Sequence, residues 1–182
     1  MIKFEESRME FTLTDDRVSC IKFDETTFFE KHFKKLQGSK GIDFLVQDEN
    51  KGEFYLIEVK NFRGSEHEPE TKKRLQVGKP ESVTFETALK VRDTIACIVG
   101  ASRSIQEQNI TAFNQILTDG ASIKVILLLE APASKIQDFK RWTDDLKKQL
   151  AWLNVKVFVL NKDRLQQQLQ WFEINNLPDA AT

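Results

Sequence analysis

Three residues in this sequence have types and spacing suited to chemistry: Asp43, Glu58 and Lys60. Asp43 lies in Gly41-Ile42-Asp43-Phe44-Leu45-Val46, while Glu58 and Lys60 end the apolar run Phe54-Tyr55-Leu56-Ile57-Glu58-Val59-Lys60. Side chains alternate along a strand, so Glu58 and Lys60 share one face and Val59 takes the other. Two neighbouring carboxylates repel each other unless a proton or a cation lies between them. A hard divalent ion, Mg²⁺ or Mn²⁺, relieves that repulsion with carboxylate oxygens, a Val59 carbonyl and waters as ligands. Such an ion lowers the pKa of a bound water and stabilises charge on a phosphodiester under attack. Lys60, on the same face, is suited to orient the water or to neutralise the charge that develops on phosphorus oxygens. The bland alternative is a cross-strand ion pair between Lys60 and a carboxylate, worth ~0–1 kcal/mol at a surface.

Glu-x-Lys alone carries little information. With 16 Glu and 19 Lys in 182 residues, chance gives about two such triplets, and the chain has three, starting at Glu49, Glu58 and Glu70. Only the middle one ends a strong apolar strand with an Asp at the start of the neighbouring strand. The register of that hairpin decides whether the two carboxylates meet. If Asn50-Lys51 forms a two-residue loop, position 49 pairs with 52 and Asp43 falls opposite Glu58. If Gly52 takes the left-handed position of a three-residue loop, the register slips by one and Asp43 faces Val59.

The elements that must position these residues follow from hydrophobic periodicity. Alternating runs over residues 9–14 and 17–23, around Asp15-Asp16, predict a first β-hairpin. Asp24 reads as the N-cap of a helix to about Leu36, with Phe29, Phe33 and Leu36 as its apolar stripe. Residues 41–48 and 53–60 make the second hairpin. Residues 61–81 then form a long loop without periodicity, and such loops are usually functional or disordered. Helical spacing returns with Ser82 as N-cap and Phe85, Leu89, Ala96 and Val99 on one face, and a further helix covers residues 105–117. Residues 123–129 read as a strand buried on both faces. Residues 134–153 form an amphipathic helix with Phe139, Trp142, Leu146, Leu150 and Leu153 inward, and residues 155–160 another buried strand. A strand, helix and strand at this spacing predict a right-handed βαβ crossover. The expectation is a single α/β domain over residues 1–182: a mixed sheet with an antiparallel front half, completed by parallel strands and flanked by helices.

Composition narrows the function classes. The 27 Lys+Arg against 28 Asp+Glu leave a formal charge of −1, which excludes a protein that coats nucleic acid by charge alone; any contact must be local. Hydrophobic residues at 40% and charged residues at 30% fit a globular chain rather than a disordered one. No stretch approaches the ~20 apolar residues of a membrane span, and the start, with Lys3, Glu5 and Glu6, is too acidic for a signal peptide. Cys20 and Cys97 are isolated within apolar runs and read as reduced core residues, so a cytoplasmic protein without membrane attachment is expected.

Asp43 with Glu58-Val59-Lys60, preceded by a helix carrying an acidic residue, resembles the PD-(D/E)xK superfamily of nuclease-like proteins. That superfamily includes restriction endonucleases, Holliday-junction resolvases and repair exonucleases. The resemblance spans residues 24–99, with Ile42 standing where the family pattern has Pro. It implies a restriction-endonuclease-like fold and a metal-dependent nuclease hydrolysing phosphodiester bonds in DNA. On that resemblance Asp43 and Glu58 hold Mg²⁺ or Mn²⁺, Lys60 acts on the water, and a Glu of the preceding helix adds a metal or water contact. Glu25, four residues before Phe29, is favoured for that last role over Glu30. Residues 23–63 also resemble a group of small uncharacterised bacterial proteins, through Leu36-Gln37-Gly38, the Asp43-Phe44-Leu45 and Ile57–Lys60 runs, and Phe62-Arg63-Gly64.

Substrate contacts have weaker signals. Arg63 opens the long loop, which also carries Lys72-Lys73-Arg74 and could offer cations to phosphates; the alternative is a solvated loop. Members of the superfamily use the following helix for phosphate contact, which nominates Lys90 and Arg92, although Arg92-Asp93 also reads as a surface pair. His67 sits among Glu66, Glu68 and Glu70 without a second His at ligand spacing. Residues 164–171 form a candidate interface helix, and a homodimer or a protein partner is compatible with cleavage of duplex DNA. The competing readings are a catalytically silent binding or assembly module of the same fold, and a nuclease subunit active only within a complex.

Overall fold

In the computed structural model, which describes residues 1–104 and 108–178, the strand bearing Glu58 and Lys60 is the middle of a five-stranded mixed sheet. The strands are β1 (Ile2–Glu6), β2 (Met9–Leu13), β3 (Val18–Lys22), β4 (Phe44–Asp48), β5 (Glu53–Asn61), β6 (Ser122–Glu130), β7 (Lys156–Leu160) and β8 (Phe172–Asn176). The helices are α1 (Pro69–Arg74), α2 (Val83–Ser104), α3 (Gln108–Thr118), α4 (Phe139–Gln149) and α5 (Lys162–Gln168). The main sheet has the order β3-β4-β5-β6-β7, and a second, antiparallel sheet has the order β1-β2-β8. Strand β4 runs antiparallel to both of its neighbours, β3 and β5, whereas β6 runs parallel to both β5 and β7.

Strand alternation sends the two faces of the main sheet into two cores. Leu45, Phe54, Leu56, Val125, Leu127 and Leu129 pack with residues of α2, α3 and α4. Phe44, Val46, Tyr55, Ile57, Val59, Ile126 and Leu128 pack with Met9, Phe11, Phe172 and Ile174 of the second sheet. Each fully buried Leu, Ile or Phe contributes about 1.5–3 kcal/mol, so both layers anchor β5 firmly. Glu58 and Lys60 continue the face of Phe54 and Leu56, and so look toward α2.

Several expectations need correction. The runs around Asp15-Asp16 do not pair as a hairpin: β2 joins β1 and β8, while β3 joins β4. Residues 24–36 are not one α-helix but a 3-10 turn, Phe23–Glu25, and a π-helical turn, Phe29–Phe33. The Thr26 hydroxyl donates to the Phe23 carbonyl at 2.7 Å, the kind of local bond that competes with helix, and Leu36 is 56% exposed rather than inward. The long loop contains α1, with Pro69 in its first turn and Thr71 buried.

On α2, Ser82 does cap the helix, its Oγ accepting from the Phe85 N–H at 3.2 Å. The buried face, however, is Val83, Thr87, Val91, Thr94, Ile98 and Ala101, and Val99 is exposed. Threonines can line that face because their hydroxyls are satisfied: Thr87 donates to the Val83 carbonyl and Thr94 accepts from the Ile42 N–H.

Beyond α2, residues 105–107 of the expected helix over 105–117 lie outside the described residues, and α3 follows them. The helix expected from residue 134 begins as a 3-10 turn, Ala133–Asp138, before α4. Strand β7 lies at a sheet edge and alternates, with Val157 and Val159 buried and Lys156 exposed. Residues 164–171 are absorbed into the second core through Leu165, Leu169 and Trp171. No helix among the described residues is long and apolar enough to cross a membrane.

Candidate active site

The β4–β5 hairpin has the register that brings the carboxylates together. Phe44 pairs with Ile57 and Asp48 with Glu53, although the turn spans residues 49–52, with Gly52 in the left-handed region at φ 60°. One step beyond the last pair, Asp43 Oδ2 accepts the Val59 N–H at 2.7 Å. The segment before β4 is tied to α2 on one side, Lys40 N–H donating to Asp93 Oδ2 at 3.1 Å and Ile42 N–H to Thr94 Oγ1 at 3.1 Å. On the other side the Phe23 N–H donates to the Asp43 carbonyl at 2.9 Å. Gly41 lets this segment pass beneath two rings: a Cβ there would stand 2.9 Å from Phe23 and 3.0 Å from Phe29.

Glu58 is fully buried, and its Oε1 lies 2.7 Å from Lys60 Nζ and 2.7 Å from Lys90 Nζ. Lys90 Nζ also donates to Asp43 Oδ1 at 3.2 Å. A buried carboxylate pair is costly without such cations. Burial, then the Glu58 charge, push the Asp43 carboxyl up to about 7, with Lys90 pulling the other way. Burial works to lower the Lys90 pKa, but the Glu58 and Asp43 charges outweigh it and hold the ammonium in its charged form well above the usual range. Glu58 Oε2 is buried without a hydrogen-bond partner.

Two further carboxylates, which the sequence reading did not nominate, complete the cluster. Glu6 and Asp24 each bring an oxygen to Asp43, and the three oxygens lie within 4.8 Å of one another. Glu6 arrives from the β1–β2 hairpin, whose turn residues Ser7 and Arg8 have φ of 49° and 61°, an uncommon conformation for non-glycine residues. That turn is fastened to the end of β5. Asn61 Nδ2 donates to the Ser7 carbonyl at 2.9 Å, and Arg8 and Arg63 each donate to the other's carbonyl. The Ser7 hydroxyl donates to Glu6 Oε1 at 3.0 Å. Burial, then the charges of Asp43 and Glu6, raise the Asp24 carboxyl to about 6, and its Oδ1 is buried without a hydrogen-bond partner. Clustered carboxylate oxygens, some lacking donors, suit a hard divalent ion such as Mg²⁺ or Mn²⁺.

The remaining nominated residues are placed differently. Glu25 is exposed and pairs with Lys22 Nζ at 2.5 Å, and Lys22 in turn reaches Glu6 Oε2 at 3.3 Å, so Glu25 stands one cation away from the cluster. Glu30 is exposed and pairs with Lys34. Lys90 lies inside the carboxylate cluster rather than at its rim. Arg92 is 59% exposed and pairs with Asp93. Arg63 serves the hairpin, bonding Asn61 Oδ1 and the Arg8 carbonyl.

Sequence reasoning also missed Glu86, on α2. Its carboxylate meets Lys60 at 3.7 Å, Lys40 at 3.4 Å and Arg74 at 2.6 Å. Burial acts to raise its pKa, but the cations Lys60, Arg74 and Lys40 outweigh it and hold the carboxyl down at about 2. Comparison with protein-family models, curated proteins and solved structures returns no match for this chain, so any reading of the site rests on its own geometry.

Proposed function

We propose that this protein is a metal-dependent nuclease of restriction-endonuclease-like fold, hydrolysing phosphodiester bonds in DNA. The observation that carries the reading is the convergence, on one hairpin, of Asp43, Glu58 and Lys60, with Lys60 Nζ 2.7 Å from Glu58. Glu6 and Asp24 add oxygens to the same cluster. Asp43, Glu6 and Asp24, with Glu58 alongside, would hold Mg²⁺ or Mn²⁺, which supplies Lewis acidity toward a phosphate oxygen and a bound water of lowered pKa. Asp43 is fixed for that task by the Val59 N–H. Lys60, only 16% exposed in its side chain, presents an ammonium in a partly desolvated setting, where it interacts more strongly with a developing anionic oxygen than in bulk water. Glu58 orients Lys60.

A second reading takes support from one observation. Lys60 and Lys90 already neutralise Glu58, and Lys90 also pairs with Asp43, so the carboxylates are compensated by the chain's own cations, as in a silent module of the same fold. Titration with Mn²⁺ separates the two readings. A nuclease takes up the ion at the carboxylates and cleaves DNA, with Lys60→Ala losing cleavage; a silent module does neither.

A further inference from the structure

Glu86 is the meeting point of three cations that come from three different parts of the chain. Lys60 lies one residue before the end of β5, Lys40 precedes β4, and Arg74 closes α1. Lys60 and Lys40 approach one oxygen at 3.7 and 3.4 Å, and Arg74 Nη2 the other at 2.6 Å. Arg74 is preorganised from a second direction, its guanidinium lying 5.2 Å from the centroid of the buried Phe62 ring. Lys40, Arg74 and Glu86 line a cleft of about 390 Å³, whose outer wall carries the exposed Glu70 and Glu81. Three donors converging on one oxyanion is the arrangement that binds a phosphate, and here the protein's own carboxylate occupies it. Lys60 links this cleft to the carboxylate cluster, since it also contacts Glu58 at 2.7 Å.

We infer that Lys40 and Arg74 form a subsite for a backbone phosphate next to the scissile one, with Glu86 holding the phosphate's place in the free protein. The inference rests on the nuclease reading for its ligand class, a nucleic-acid strand. A phosphate entering the cleft takes over the Arg74 and Lys40 donors from Glu86, whose charge weakens binding of any polyanion. Glu86 therefore sets how tightly the strand is held, and Arg74 and Lys40 are positioning residues.

The test is fluorescence anisotropy of a labelled DNA duplex and its single strand, in EDTA so that no cleavage intervenes, over a series of salt concentrations. Glu86→Gln is expected to tighten binding several-fold. Arg74→Gln and Lys40→Gln are expected to weaken it, and each to reduce the log–log salt slope by about 1. Glu173→Gln, exposed on β8 of the second sheet and outside the cleft, controls for net charge and should change affinity less than about twofold. Unchanged affinity in Arg74→Gln and Lys40→Gln overturns the subsite, as does an equal gain from Glu173→Gln or the absence of binding by both wild type and Glu86→Gln. Melting curves by circular dichroism confirm that each variant folds, and the two cation variants decide the matter if Glu86→Gln does not. A separate cleavage assay keeps the two ideas apart. Cleavage that does not depend on Arg74 and Lys40 removes the subsite and leaves the nuclease, whereas binding that depends on them without cleavage does the reverse.

Discussion

Asp43 Oδ2 accepts the backbone N–H of Val59 at 2.7 Å, the residue between Glu58 and Lys60. The segment just before β4 is thereby tied to the end of β5, which holds Asp43 beside Glu58 and Lys60. A hydrogen bond to a charged acceptor contributes about 1.5–3 kcal/mol, and here it leaves Asp43 Oδ1 to accept from Lys90.

Asp43→Asn keeps an oxygen to accept the Val59 N–H while removing one negative charge from a crowded cluster. It is expected to melt at or above the wild-type temperature without metal, and to lose the stabilisation that Mn²⁺ confers on wild type. That stabilisation amounts to about 2.7 kcal/mol at an ion concentration one hundred times Kd. Thermal melts with and without Mn²⁺ check both halves; a wild-type Mn²⁺ shift in Asp43→Asn goes against the ligand role.

Lys90→Ala removes the ammonium shared by Asp43 and Glu58 and leaves Lys60 as the cation of Glu58. Breaking a buried pair on one side costs on the order of 3 kcal/mol. Because a divalent ion replaces the missing charge, Mn²⁺ should restore more stability to Lys90→Ala than it adds to wild type. Urea unfolding with and without Mn²⁺ measures the difference, and equal Mn²⁺ effects in the two proteins would rule out an ion at these carboxylates.

Glu86 gives a pH signature. Its folded-state pKa, about 2, lies below the ordinary 4.5, so it contributes stability that is complete above pH 4.5 and is lost as pH falls toward 2. Glu86→Gln should be less stable than wild type at pH 6, and the gap should close between pH 4.5 and 2. A gap that is constant across that window shows that the cations do not hold the Glu86 charge.

Gly41→Ala places a methyl group 2.9 Å from the ring of the fully buried Phe23. Overpacking against a buried ring costs about 1–3 kcal/mol. Asp43 is two residues away, so the same change should also weaken Mn²⁺ binding. Denaturant midpoints and isothermal titration read the two effects; a neutral Gly41→Ala contradicts the packing seen here.

Much of the central scaffold was legible in the sequence because apolar periodicity encodes it directly. Strands β4, β5 and β6 and the Phe139, Trp142 and Leu146 face of α4 are such cases. Elements built on polar or weak signals were not. Strand β1, Ile-Lys-Phe-Glu-Glu, is a largely exposed edge strand, and its turn uses Ser7-Arg8 where the recognisable residues are Asn and Gly. Glu6 was invisible for that reason. Asp24 has the sequence signature of a helix cap, but a 3-10 turn aims it at Asp43. The buried face of α2 is rich in Thr and carries Asp93; the hydrogen bonds that Asp93 and Thr94 accept from the backbone of residues 40 and 42 are long-range and leave no local pattern. Glu86 looks like a surface charge until the sheet is placed beside it, and Lys90, nominated for phosphate contact, instead pairs with Asp43 and Glu58.

The most direct test is cleavage of single-stranded, duplex and branched DNA and of RNA in Mn²⁺ or Mg²⁺, with wild type and Lys60→Ala purified side by side. The expected result is metal-dependent cleavage of a DNA substrate by wild type, and a rate lower by about 10²–10⁴ in a folded Lys60→Ala. Cleavage by Lys60→Ala at the wild-type rate, or no cleavage and no Mn²⁺ binding by wild type, contradicts the assignment of Asp43, Glu58 and Lys60 as a nuclease centre.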